Sequence, residues 1–268
     1  MGRYLKYTVL MLLCAAQSCI LEDRENCPTY LSIDFSDTPD EVESICLILR
    51  HESGWMFRDT VHGSESGSIY EIPVKKGLMT VAVFGNVRQM EYNEGYSVTT
   101  GNEADSLYTC FFTAEYTGEL SSDTISVRKD FIGLHLKIMG RENTAGKVSV
   151  AVESSSVGYD LNGNVIRGAY RHTPELIESP DSISGHYQYV SRITRQGDDS
   201  LLLRITVQEE GRKAEELSVN LHEYLSGLEI ESEDDGLRDL YLTVDLSRST
   251  MTVSPIGWEH TDKIEIEI

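Results

Sequence analysis

Apolar and polar positions alternate along most of this chain with a period of two. Between Tyr30 and Phe35, the side chains of Leu31, Ile33 and Phe35 fall on one face and those of Ser32 and Asp34 on the other, which predicts a half-buried strand. A turn through Thr38, Pro39, Asp40 and Glu41 leads into residues 44–50, a more continuously apolar strand. Residues 54–60, 68–72, 78–84, 107–113 and 124–127 read as further strands, while 86–106 loses the pattern to polar residues and glycines. That stretch is expected to be a long connection with at most one short helical turn. About seven strands result, a common number for a β-sandwich.

Residues 131–139 open a second series. Strands are predicted over 147–152, 187–194, 201–207, 215–221, 240–246, 250–255 and 263–268, with an acidic loop at 231–235. Asn162-Gly163 is the strongest hairpin signal in the chain, because both residues tolerate the positive φ of a tight turn. No stretch longer than about ten residues carries the 3.6-residue period of a helix, so the fold class is all-β. No Pro- or Ser-rich linker separates the two series. Residues 29–128 and 129–268 are therefore expected to be two closely packed β-sandwich domains.

The first 28 residues differ. Arg3 and Lys6 precede an apolar run from Tyr7 to Ala16 that is too short for a permanent membrane helix, which makes residues 1–18 an export signal. Its end, Ala16-Gln17-Ser18-Cys19, is similar to a bacterial lipobox, where the thiol of Cys19 receives diacylglycerol and the freed amine is acylated. Gln17 departs from the small or hydroxyl residue usual at its position. Cys14 fits less well, since Leu13 would have to occupy a pocket for a small side chain. The alternative is an ordinary cleaved signal with an incidental Cys19. Lipid changes the picture physically: each buried methylene contributes about 0.8 kcal/mol, so two or three acyl chains hold a protein in a membrane without further contacts.

Charge excludes one class of partner. The formal net charge is −21, and removing residues 1–18 takes away Arg3 and Lys6 to leave −23, which opposes nucleic acid binding. Cys27, Cys46 and Cys110 remain for one disulfide and one free thiol, with three pairings open. Catalytic and metal motifs are missing. His222-Glu223 lacks the second histidine of a zinc helix, and Asp160, Asn162 and Asn164 lack the glycine position and closing carboxylate of a calcium loop. The chain is read as a non-enzyme without cofactor. Tyr159, Tyr170, Tyr187 and Tyr189 could stack on sugars, although tyrosine is also a common strand residue.

Cys19, the acidic residues Glu22, Asp23 and Glu25, then Cys27-Pro28 and an alternating strand resemble the start of the FimB-type fimbrial anchor lipoproteins of Bacteroidales. The strand 132–139, the turn at Tyr159 to Gly163 and the late strand near Gly257-Trp258 fit the second domain of that family. The resemblance implies two transthyretin-like, Greek-key β-sandwich domains after a lipidated acidic tether at residues 19–28. It also implies a surface-exposed place in the outer membrane at the base of a fimbrium, where the protein holds stalk pilin or accessory subunits and limits fimbrial length. Fimbrial subunits join by β-strand addition, which needs an available edge or an exchangeable strand and no catalytic group. Lys263, Ile264, Glu265, Ile266, Glu267 and Ile268 are the candidate donor strand, the alternative being an ordinary closing strand of their own sheet. A surface glycan-binding lipoprotein using the tyrosine loops is the second functional reading.

Overall fold

A computed structural model describes residues 27–62, 69–88, 95–139, 146–177, 186–194, 201–209, 211, 213–221, 231–232, 236–246, 250–254 and 264–267. These residues form strands and connections and no helix. Residues up to 130 contain Thr29–Asp34 (β1), Ser44–His51 (β2), Met56–His62 (β3), Ile69–Val74 (β4), Gly77–Gly85 (β5), Tyr96–Ser97 (β6), Tyr108–Tyr116 (β7), Leu120–Thr124 (β8) and Arg128–Lys129 (β9). Then come Phe131–Met139 (β10), Gly146–Tyr159 (β11), Val165–His172 (β12), Glu175–Ile177 (β13), His186–Thr194 (β14), Leu202–Glu209 (β15) and Glu215–Asn220 (β16). Glu231–Ser232 (β17), Gly236–Leu237 (β18), Leu240–Asp245 (β19), Thr250–Ser254 (β20) and Ile264–Glu267 (β21) complete the order.

Four sheets pack in layers. A three-stranded sheet, β4-β1-β8, lies over a seven-stranded one, β17-β18-β9-β7-β5-β2-β3. Leu31, Ile33, Ile72 and Val74 of the small sheet close a core with Ile45, Leu47, Leu49, Met79, Val81 and Val83 of the large one. The other two are a six-stranded sheet, β13-β14-β10-β19-β20-β21, and a five-stranded one, β12-β11-β15-β16 with β6 added beside β11. Leu134, Leu136 and Ile138 from β10 and Leu240, Leu242 and Val244 from β19 meet Val150, Val152, Leu203 and Ile205 there. This is β-sandwich architecture, made where period-two apolar faces are removed from water.

Strands β2 and β5 explain how the layers join. Odd-numbered residues of both face the small sheet, whereas Cys46, Ile48, Ala82 and Phe84 face the core that holds β10, β11 and β19. The continuous apolarity of residues 45–49 thus reflects burial on both faces. Two short elements cross between the series: β6 pairs with β11, and β18 pairs with β9.

Three expectations need correcting. The strand expected over 124–127 is found at Leu120–Thr124, running parallel to β1. Its Leu-Ser-Ser-Asp-Thr sequence has no apolar alternation because it is an edge strand with one face in water, while Ile125 and Val127 are buried just beyond it. β12 is the second arm of the expected Asn162-Gly163 hairpin, but it runs on to His172, past the expected residues; it is another edge strand and carries Gly168. Within the stretch 86–106, residues 95–106 are a packed connection: Tyr96, Val98 and Ala104 are buried and β6 supplies a ladder.

Candidate assembly interface

Cys19, the predicted lipid site, lies outside the described residues, as do Lys263 and Ile268. The described chain enters at Cys27-Pro28 and passes into β1, where the Tyr30 amide donates to the Glu119 carbonyl at 2.9 Å. Cys27 is exposed, Cys46 buried and Cys110 half-buried, and all three are free thiols. Cys46 on β2 and Cys110 on β7 are separated by β5, and their side chains pack on opposite faces of the sheet. Neighbouring strands are about 4.8 Å apart, so strands two removed sit near 10 Å, beyond the reach of a disulfide. Burial pushes the Cys46 thiol up to about 11.

The candidate donor residues Ile264, Glu265, Ile266 and Glu267 form β21. It pairs antiparallel with β20 in this chain, Ile264 opposite Val253 and Glu267 opposite Thr250. Among the described residues it is the last strand of the six-stranded sheet and has a ladder on one side only. Such an edge presents a row of backbone donors and acceptors to a further strand. At the opposite edge stands β13, three residues long.

Asp160 Oδ1 accepts from the Asn162 and Asn164 amides at 2.8 and 2.9 Å, and Gly163 adopts φ +82°. Burial raises the Asp160 carboxyl, and these turn hydrogen bonds outweigh it, leaving a net lowering. The carboxylate organises the hairpin between β11 and β12, and the Asn162 side chain then accepts from Arg50 Nη2 of β2 at 2.6 Å.

The aromatic platform does not form as the sugar-binding reading requires. Tyr159, Tyr170 and Tyr189 are each under 5% exposed. Tyr170 donates to the Asn102 carbonyl and Tyr189 to the Val148 carbonyl, both at 2.9 Å, and burial raises the Tyr189 phenol to about 12. Only Tyr187 of the four is half-buried. A shallow groove nearby is lined by Thr100, Glu153, Tyr170, Arg171 and Leu202, but its charged members Glu153 and Arg171 pair with each other at 3.2 Å.

A second polar cluster ties β9, β10 and the β18–β19 connection together. Asp239 Oδ1 accepts from Lys129 Nζ at 2.6 Å and from the Gly133 amide at 2.8 Å, while His135 Nε2 lies 3.7 Å from Oδ2. Burial raises the Asp239 carboxyl, but hydrogen bonds from His135, Lys129 and Gly133 outweigh it and hold it well below the usual carboxylate range. His135 in turn stacks on Tyr241 with ring centres 4.4 Å apart. Sequence reasoning missed this cluster because its members lie up to 110 positions apart.

No family model matches the chain, and no curated protein matches it in sequence. The fimbrial anchor protein Mfa2 from Porphyromonas gingivalis superposes with a TM-score of 0.63, covering 87% of this chain and 98% of its own at 13% identity. The chain has the Mfa2 fold. The same fold is seen in a candidate polysaccharide-binding protein (DUF1812) from Bacteroides thetaiotaomicron, TM-score 0.62, covering 86% of this chain and 99% of that one at 13% identity. A candidate adhesin from Bacteroides ovatus gives 0.58, covering 90% and 96% at 15% identity. Because the Mfa2 fold spans nearly all of each neighbour, the likeness includes both series of strands and not a shared single sandwich.

Proposed function

We propose that this chain is an outer-membrane lipoprotein that anchors a fimbrium at the cell surface and limits its length. Cys19 carries the lipid, and stalk pilin or an accessory subunit joins by β-strand addition at the C-terminal strand. The observation that carries the reading is the edge position of β21, at the opposite end of the chain from the lipidated cysteine. One end is then held in the membrane while the other offers backbone hydrogen bonds to a partner strand. The shared fold with a fimbrial anchor protein and the export signal ending at Cys19 support the same reading. The buried tyrosines leave the glycan-binding alternative without its platform.

Two variants test it. Cys19→Ala should move the protein from the outer-membrane fraction to the soluble fraction and shed its fimbriae; wild-type retention in the membrane would refute the anchor. Deleting residues 262–268 should leave a folded, lipidated protein whose fimbriae appear in the medium. Loss of the thermal transition would instead make β21 a structural closing strand, and normal retention of fimbriae by a stable truncated protein would remove it from assembly altogether.

A further inference from the structure

The outer face of the small sheet β4-β1-β8 grades from apolar to polar along its strands. Pro73, Tyr30 and Leu120 stand side by side in one row, since Tyr30 pairs with Pro73 on one side and with Leu120 on the other. Tyr30 is 56% and Leu120 79% exposed, and Pro73 is exposed as well. The next outward row is Glu71, Ser32 and Ser122, and the third is Ile69, Asp34 and Thr124. Ile69 is exposed too, but it stands alone in its row.

The apolar row lies at the end of the sheet where the chain arrives from its N-terminus. Leu78, a further exposed apolar side chain, is the second residue of β5 at that same end, just after the connection that carries Lys75 and Lys76. Among the described residues, three of the five large apolar side chains that are exposed therefore gather at one end of the sandwich. Burying such side chains contributes about 25 cal/mol per Å² of apolar surface, so leaving this row in water wastes a favourable contact.

What covers it follows from the length of chain that precedes it. Residues 19–28 separate the proposed lipid-bearing cysteine from β1. A segment of that length spans at most about 35 Å fully extended, and roughly 16–19 Å as a flexible coil. Tyr30 is then held within reach of the headgroup layer at all times. Tyrosine favours that layer because its ring is apolar and its hydroxyl is wet. Glu52, Glu115 and Glu119 share this end of the sandwich with Lys75 and Lys76, so a charged lipid is not selected.

We infer that the row Pro73, Tyr30 and Leu120 is a membrane-contact surface that seats the N-terminal end of the sandwich on a lipid headgroup layer. The inference rests on lipidation of Cys19. It makes the anchor a braced foot: acyl chains supply attachment, and the apolar row fixes the direction in which the rest of the molecule stands.

The test uses the lipidated full-length mature protein reconstituted in vesicles of phosphatidylethanolamine and phosphatidylcholine, with bromine on the shallow acyl carbons of the phosphatidylcholine. Leu120→Trp is compared with Ile177→Trp, an exposed position on β13 at the edge of the six-stranded sheet, each read as the increment over the parent protein. Quenching of Leu120→Trp should exceed that of Ile177→Trp by about twofold or more, as expected for a side chain in the interfacial layer. Tyr30→Trp repeats the measurement on the central strand. Equal quenching at positions 120 and 177 in a protein that floats with the vesicles overturns the contact and leaves the lipid anchor intact. An N-terminal peptide without acyl mass, in a protein that does not float, overturns both.

Discussion

Asp239 shows how much a single side chain can hold. It receives Lys129, the Gly133 amide and His135, groups from β9 and β10 that would otherwise lose their partner. A Cβ at Gly133 would lie 2.6 Å from its Oδ1, so the glycine is there for close approach. Asp239→Asn should lower stability by about 1–2 kcal/mol, a value reduced by partial exposure of the cluster. The sign with pH is set by the lowered carboxyl. A depressed carboxylate stabilises the fold above its ordinary range near pH 4 and loses that contribution as pH falls toward its folded value. Urea unfolding at pH 7 and pH 3 should therefore show the variant's deficit shrinking in acid. A deficit that stays constant would place the role of Asp239 in packing instead of charge.

Among the elements, β6 has the least sequence signal and one of the more demanding positions. It is two residues long, yet it pairs with β11 and brings the Tyr96 carbonyl to within 1.9 Å of where a Cβ on Gly158 would be. The Val98 amide continues the contact by donating to the Val157 carbonyl at 2.8 Å. Only glycine allows two backbones so close. Gly158→Ala should cost about 2–4 kcal/mol, because backbone rather than a movable side chain blocks the added methyl. Amide exchange gives the specific readout: the Val98 N–H should exchange much faster, while amides in the β10–β19 ladder are unchanged. Uniform acceleration across both would mean general destabilisation.

For the whole molecule, burial of β2 and β5 on both faces has a thermodynamic consequence. Residues Cys46, Ile48, Ala82 and Phe84, with Tyr96, Val98, Ala104 and Leu107, complete a core whose remaining buried members come from residues 132–244. Separating the two series would return that face to water, at about 1.5–3 kcal/mol for each large side chain exposed. Thermal unfolding should therefore follow one transition by both circular dichroism and tryptophan fluorescence, and residues 29–128 expressed alone should bind a hydrophobic dye. Two resolved transitions, or a soluble fragment that binds no dye, would show that the series are thermodynamically independent.

The sequence by itself determined the strand character of nearly every buried element, because removal of one face from water imposes the period of two. It determined the β11–β12 turn as well, since Gly163 meets a local demand for positive φ and Asp160 holds the Asn162 and Asn164 amides, all within a few residues in sequence. Tertiary structure decided what local patterns cannot encode. Edge strands such as β8 and β12 have little to bury and so little alternation to read. The parallel pairing of β1 with β8, the crossing of β6 to β11 and the gathering of Lys129, Gly133, His135 and Asp239 join residues far apart in the chain. The apolar row at Pro73, Tyr30 and Leu120 belongs to the same class: each residue is unremarked in its own strand, and only the register of three strands makes them one surface.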